Sequence, residues 1–256
     1  MRSFAWPAAA AIAVLGTLLI TGGAALGYAQ SSAGFSNWAA VVVSGDYHAG
    51  DRGRTEAFDN ARRDVSAELL KVGFAPSNLL QFSARPGRYP DDNARYSNPA
   101  SVESHLADLA GSTSGGCLLY FTSHVKLGGL VMGRDILDPQ HMAHIVDSAC
   151  GARPTVVVIS SCYSGIFIED LKAPNRLIIT AARPDRRSFG CGQNDRYPYF
   201  DSCVVESLPK ARTFEDLAAL AEVCVGRLEA KRRETYPSEP QLSVGALVAD
   251  KLPALR

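Results

Sequence analysis

The chain has 256 residues, of which 46% are hydrophobic and 20% charged, a globular composition that argues against an intrinsically disordered protein. Lysine plus arginine and aspartate plus glutamate number 26 each, so the net charge is zero and gives no electrostatic reason to expect a nucleic-acid partner. The sequence has no repeat with a period of about 20–50 residues, which excludes solenoids and propellers.

The first 29 residues differ from the rest of the chain. Arg2 is the only charged residue before Asp46, and residues 8–27 consist mainly of alanine, leucine, isoleucine and glycine. A positive start, an apolar centre and small residues near position 29 are typical of a secretory signal peptide. About 20 apolar residues can also span a bilayer, so an uncleaved membrane anchor is the alternative. Both interpretations predict an exported domain, which is periplasmic or secreted in the first case and membrane-tethered in the second.

Strands and helices alternate along the domain that we predict at residues 38–256, after a polar linker at residues 30–37. Runs of β-branched residues predict buried strands, and apolar residues at helical spacing predict helices. The strands are predicted at residues 38–44, 79–82, 117–122, 155–160 and 176–181, and the helices at residues 55–72, 100–109, 139–148 and 213–234. Residues 244–249 are predicted as a last strand or the start of a helix. The alternation predicts an α/β fold with a mostly parallel sheet and helices on both faces.

Two reactive side chains directly follow two of the predicted strands. The strand at residues 117–122 is followed by Ser123 and His124, and the strand at residues 155–160 by Ser161 and Cys162. Functional residues of parallel sheets gather at the carboxyl ends of the strands. If these two strands are neighbours, an imidazole and a thiol meet there and form a nucleophile–base pair.

Six cysteines are present, at positions 117, 150, 162, 191, 203 and 224. If Cys162 remains a free thiol, at most two disulfides can form, with one further free thiol. No C-x-x-C pair lies near histidines, so we expect neither a zinc site nor a cofactor.

The segments Phe-Thr-Ser-His at residues 121–124 and Ser-Ser-Cys-Tyr-Ser-Gly at residues 160–165 resemble the peptidase C13 (legumain) family of clan CD. The resemblance covers about residues 38–248. It implies a caspase-like three-layer sandwich and a cysteine endopeptidase that acts on peptides or proteins. The family's catalytic residues fall on His124 and Cys162, and the backbone N–H groups of Val125 and Cys162 would stabilise the oxyanion.

The same resemblance implies that the substrate is cut after Asn or Asp. The family's pocket residues fall on Arg54, Ser188 and Asp201 in this sequence. An arginine and an aspartate together suit a carboxamide, which offers both an acceptor and donors. Asp46 and His48 follow the first strand at the same predicted edge, and we interpret them as loop residues.

One departure from the family pattern bears on activity. Val125 stands where the family has glycine, and a β-branched residue takes a positive φ only with strain. Strain there would favour an alternative function, a catalytically impaired peptide-binding module. A second alternative is a membrane-tethered, transamidase-like enzyme, which the apolar N-terminal segment permits.

Overall fold

The computed structural model describes residues 1, 3, 34–51 and 53–256. The chain divides into two units, residues 1–31 and residues 32–256, and the second contains the folded domain. The predicted signal peptide or anchor lies outside the described residues apart from Met1 and Ser3. Within the part of the chain that is described, no helix has both the length and the apolar character needed to cross a membrane.

Residues 34–37 belong to the folded domain, which corrects their assignment to a linker. Phe35–Asn37 form a short 3-10 helix, and Phe35 is 1% exposed. Its ring stacks on Phe74 at 4.7 Å and meets Phe214 edge-on at 5.9 Å. Burial of an aromatic ring is strongly stabilising, so this segment is held against the core.

The main sheet contains seven strands, which are β1 (Ala39–Ser44), β2 (Leu79–Ser83), β3 (Arg95–Tyr96), β4 (Cys117–Thr122), β8 (Thr155–Ser160), β9 (Arg176–Thr180) and β10 (Gln241–Val244). Their order across the sheet is β10-β9-β8-β4-β1-β2-β3. All neighbours pair in parallel except β10, which is antiparallel to β9. The central strands β1, β4 and β8 are buried along their whole length, as their unbroken apolar runs predict.

A second, three-stranded sheet follows β4 directly. It consists of β5 (Val125–Lys126), β6 (Gly129–Met132) and β7 (Asp135–Leu137), all antiparallel. A two-residue turn joins β5 to β6, and its residues Leu127 and Gly128 both have positive φ, 52° and 78°. Positive φ at both positions is the geometry of a type I′ hairpin turn, which fixes the register of the hairpin.

In the described residues, six α-helices cover the two faces of the main sheet. They are α1 (Ala57–Val72), α2 (Pro99–Ser112), α3 (Pro139–Cys150), α4 (Ile168–Leu171), α5 (Tyr199–Ser207) and α6 (Phe214–Arg232). One hydrophobic core joins the sheet to α1, α5 and α6, and the other joins it to α2, α3 and α4. Alternate residues of β4 enter the two cores, Leu118 and Tyr120 on one face and Leu119 and Phe121 on the other. The predicted three-layer α/β architecture with a mostly parallel sheet is confirmed.

Two disulfides cross-link elements of the domain. Cys117–Cys150 ties the start of β4 to the end of α3, and Cys203–Cys224 ties α5 to α6. Cys162 and Cys191 are the two free cysteines, and all six cysteines lie in the described part of the chain. The count agrees with the limit set from the sequence, two disulfides and one free thiol besides Cys162.

Candidate active site

Strands β4 and β8 bring His124 and Cys162 to one edge of the sheet. The two strands are parallel neighbours, and Thr122 is paired in register with Ser160. His124 and Cys162 each lie two residues beyond this pair, so they leave the sheet at the same level of its carboxyl edge. Both side chains line one cavity.

This cavity is small and mixed in character. Its volume is about 10 Å³, roughly the space of a single water molecule. Ten residues line it, namely Phe58, Ser123, His124, Ser160, Ser161, Cys162, Ser188, Phe189, Cys191 and Pro198.

The Cys162 thiol is held by the backbone of Ser188. Its Sγ lies 3.3 Å from both the carbonyl oxygen and the amide nitrogen of that residue. Burial raises the pKa of the thiol, while the Ser188 backbone and the Arg187 guanidinium lower it in part. The carbonyl can accept only a protonated S–H, whereas the amide N–H supports the thiolate, so the same segment contacts both forms.

The orientation of His124 is set by the backbone of the loop after β1. Its Nε2 lies 3.1 Å from the carbonyl oxygen of His48. A carbonyl oxygen only accepts, so Nε2 carries the proton, and Nδ1 of the neutral ring keeps its lone pair. The ring also packs edge-on against Phe58, at 5.0 Å between centroids. Among the hydrogen bonds of these two described residues, none joins His124 to Cys162.

Asp46 stabilises the loop that contacts His124. Its carboxylate accepts hydrogen bonds from the amides of Tyr47 and His48, at 2.7 and 3.1 Å, and its Oδ1 lies 2.6 Å from His48 Nδ1. Asp46 itself is 6% exposed. Asp46 thus holds the backbone that carries the His48 carbonyl. Asp46 and His48 influence His124 through this loop, which agrees with their interpretation as loop residues.

Two backbone N–H groups are free to face a substrate. In the β5–β6 hairpin, Lys126 pairs with Gly129 next to the type I′ turn, and Val131 N donates to His124 O at 2.9 Å. Hydrogen-bonded and non-hydrogen-bonded pairs alternate in an antiparallel ladder, so the pair between them, Val125 and Leu130, is not hydrogen-bonded. The Val125 N–H therefore points away from the hairpin. The Cys162 N–H donates to no acceptor within the described residues.

Val125 is not strained, which corrects the expectation that this residue distorts the site. It lies in β5 and is absent from the residues with positive φ. The residues with positive φ nearest after His124 are Leu127 and Gly128, which form the hairpin turn. The unusual backbone at the thiol is that of Tyr163, with φ 57°, whose N–H donates to Arg186 O at 2.7 Å.

Gly165 permits the loop at residues 181–198 to approach the turn after β8. A Cβ at this position would lie 2.6 Å from the backbone nitrogen of Pro184, and the Gly165 N–H donates to Ala182 O at 2.9 Å. Glycine is therefore needed here for close contact with the loop that carries Ser188.

Arg54, Ser188 and Asp201 are not brought together in the way the sequence predicts. Ser188 lines the cavity, and Arg54 is exposed on the loop after β1. Asp201 is 0% exposed and lies on α5 in the interior. Its carboxylate accepts hydrogen bonds from three buried hydroxyl groups. This placement contradicts the prediction that Asp201 contacts substrate, because neither carboxylate oxygen faces the cavity or solvent.

Asp201 should make the domain less stable as the pH rises from about 4 to 7. Burial raises the pKa of its carboxyl from 3.8 to about 6. The folded state binds this proton more tightly than the unfolded state, so the stabilisation is complete below the unfolded pKa and is lost as the pH rises through about 6. The change is on the order of 3 kcal/mol.

Urea denaturation at pH 4, 5, 6 and 7 measures this effect in the wild type and in Asp201→Asn. The free energy of unfolding of the wild type should fall relative to that of the variant as the pH rises. A constant difference between the two proteins would show that Asp201 does not titrate in this range.

Two residues were missed from the sequence, one inside the cavity and one just outside it. Cys191 is a second thiol in the cavity, and burial followed by the Cys162 charge raises its pKa to about 11. Asp195 lies four residues further along and accepts from the Gly192 N–H at 2.8 Å, and its charge also raises the pKa of Cys191. The sequence signal was available, because both residues follow Ser188 closely.

Comparisons with known proteins agree with this geometry. The model of the Peptidase C13 family matches residues 103–217, a segment that includes both His124 and Cys162. A structure of caspase-1 from Spodoptera frugiperda has a similar fold, with a TM-score of 0.58 and 14% identity over 82% of this chain and 87% of that chain. A search of curated proteins found no significant match. The family match and the similar fold together support a relationship of this chain to the C13/caspase-like cysteine peptidases of clan CD.

Proposed function

We propose that the protein is a cysteine endopeptidase that cuts peptide bonds through a dyad of Cys162 and His124, after Asn or Asp. The observation that carries the proposal is the common cavity at the ends of β4 and β8, which both the Cys162 thiol and the His124 imidazole line. The substrate is a peptide or protein.

The tautomer of His124 identifies Nδ1 as the nitrogen that accepts and returns the proton. The Nδ1 atom takes the proton of the Cys162 thiol, and the thiolate attacks the carbonyl carbon of the peptide bond. The N–H groups of Val125 and Cys162 stabilise the oxyanion. The new amine leaves with the proton from His124, and the remaining thioester is hydrolysed by a water molecule that His124 deprotonates.

The Cys162 thiol must leave the Ser188 carbonyl before this reaction. In the structure this carbonyl oxygen accepts the S–H of Cys162 at 3.3 Å. A bound peptide displaces this contact, which frees the thiol proton for His124. Substrate binding and activation of the nucleophile are then coupled in one step.

For the pocket of the residue before the cut, we propose Arg54, Ser188 and Asp195. Thr55, the neighbour of Arg54, donates through Oγ1 to Gly192 O at 3.0 Å, while Asp195 accepts from Gly192 N. A cation and a carboxylate thus flank one segment next to the cavity. Asp195 takes the role that was predicted for Asp201, and the pair again suits a carboxamide.

A panel of fluorogenic peptides that differ only in the residue before the cut tests the function and the specificity. Asn and Asp peptides should be cleaved at least about tenfold faster than Gln, Glu, Lys or Ala peptides, because a pocket that hydrogen-bonds its ligand discriminates strongly. The Cys162→Ala variant is the negative control, which measures hydrolysis that does not depend on the thiol.

Different results would contradict the proposed specificity and the proposed peptidase function. Fast cleavage after Lys would contradict the specificity and leave the peptidase function intact. A complete lack of hydrolysis by a protein whose Cys162 reacts with iodoacetamide would contradict the function itself.

We also propose that the domain is exported, on the basis of the N-terminal segment. The two disulfides support this, since disulfides persist mainly in oxidising compartments. N-terminal sequencing of the protein from its native host distinguishes a cleaved signal peptide from a retained anchor, and a reduced protein in the cytoplasm would contradict export.

A further inference from the structure

Asp201 lies directly beneath the site and is fully buried. Its Oδ1 accepts from the hydroxyl of Tyr120 at 2.6 Å, and its Oδ2 accepts from Thr122 Oγ1 at 2.9 Å and Ser160 Oγ at 2.6 Å. Hydrogen bonds to a charged acceptor are about twice as strong as those between neutral groups. The three donors therefore fix the carboxylate firmly in one position.

The donors of Oδ2 are the residues that lead to the dyad. Thr122 and Ser160 are cross-strand partners at the ends of β4 and β8. His124 follows the first by two residues, and Cys162 follows the second by two residues. One carboxylate oxygen thus joins the two strand ends on the α5 face of the sheet, immediately before both reacting side chains.

No cation balances this carboxylate. Within the described part of the chain, the groups that act on Asp201 are the three hydroxyls and its own backbone N–H. Tyr120 is the one titratable group among them, and burial followed by the charge of Asp201 raises its pKa well above 10. A buried carboxyl without a cation is costly to fold, and such groups concentrate at functional sites.

We propose that Asp201 is a positioning residue for the proposed peptidase reaction, which holds the ends of β4 and β8 so that His124 and Cys162 stay at reacting distance. It touches neither substrate nor the reacting atoms, and it acts through Thr122 and Ser160. The inference depends on the proposed function of the dyad.

The expected effect follows from the geometry of the dyad. The backbone ladder sets the register of the two strands, but it ends at Thr122 and Ser160, and His124 and Cys162 lie beyond the strands. A displacement of about 1 Å at a reacting centre can reduce the rate about 10²-fold. In Asp201→Asn, an NH2 group replaces one of the two acceptor oxygens, so either Tyr120 or the pair of Thr122 and Ser160 loses its acceptor.

Steady-state kinetics of Asp201→Asn test the inference. We expect kcat to fall by about 10- to 100-fold while KM stays within about twofold, because substrate contacts are unchanged. The matched control is Glu229→Gln, which also removes a buried carboxylate from a helix but lies far along the chain from the site residues and accepts from Ser238 N at 3.0 Å. Its kcat should equal that of the wild type.

A second variant and a second measurement complete the test. If Asp201→Asn does not fold, Thr122→Val removes one donor at nearly constant volume and should lower kcat by about three- to tenfold.

The pH profile of Cys162 alkylation by iodoacetamide needs no turnover, and its inflection should shift in Asp201→Asn toward that of an isolated thiol. An unchanged kcat per folded molecule together with an unchanged alkylation profile would overturn the inference. Absence of peptide hydrolysis in the wild type, with a shifted alkylation profile in the variant, would contradict the proposed function alone.

Discussion

Replacement of Cys162 by alanine is expected to abolish peptide hydrolysis, with a loss of at least about 10³-fold in kcat. The thiol forms the covalent intermediate, and alanine offers no atom that can attack the substrate carbonyl. Initial rates with the best peptide of the fluorogenic panel measure the loss, at enzyme concentrations high enough to detect residual activity.

The second free thiol of the cavity provides the matched control. Cys191→Ser should retain most of the activity and should still be labelled once by iodoacetamide, whereas Cys162→Ala should lose the inhibitor-sensitive label. If Cys191→Ser is inactive and Cys162→Ala is active, the nucleophile has been assigned to the wrong thiol.

Replacement of His124 by alanine is the second large effect that we expect, a decrease of about 10²–10⁴-fold in kcat, which is the usual contribution of a general base. Burial raises the pKa of the Cys162 thiol, so it needs a base to accept its proton near neutral pH, and this replacement removes that base. KM should change little, since the ring is oriented by the His48 carbonyl and not by the substrate. The pH dependence of kcat should lose the limb that belongs to the base.

His141→Ala controls for the loss of a histidine as such. His141 lies on α3, with its side chain 40% exposed and 3.7 Å from Glu103. Its removal should leave kcat unchanged. Equal kcat values for the wild type and His124→Ala would contradict the dyad and would leave Cys162 without a base.

The sequence predicts the strands of this fold better than its irregular parts. Strands β4 and β8 have the predicted bounds because their apolar, β-branched runs are buried on both faces. Helix α5 was missed, since Tyr199–Ser207 contains aromatic and β-branched residues with low helix propensity. Packing against α1 and α6 and the disulfide to Cys224 explain its helical form. Strand β10 begins at Gln241, three residues before the predicted segment, because its position depends on pairing with β9.

The same distinction applies to the site. His124 and Cys162 follow from the strand ends alone, because parallel neighbours carry their last residues to one edge. The position of Asp201 depends on α5, and a sequence in which that helix is not recognised cannot reveal that the residue faces inward. The φ of Val125 likewise depends on a hairpin whose turn, Leu127 and Gly128, has only one glycine as a signal.

The disulfides have a practical consequence for the redox chemistry of the protein. Cys117, Cys150, Cys203 and Cys224 are between 0 and 5% exposed, whereas Cys162 borders a cavity and is partly exposed. Thiol–disulfide exchange requires direct access of the attacking thiolate to a sulfur atom. Mild reducing agents can therefore keep Cys162, the proposed nucleophile, as a free thiol while both cross-links stay intact, so that a single polypeptide combines durable internal cross-links with a reduced, accessible thiol.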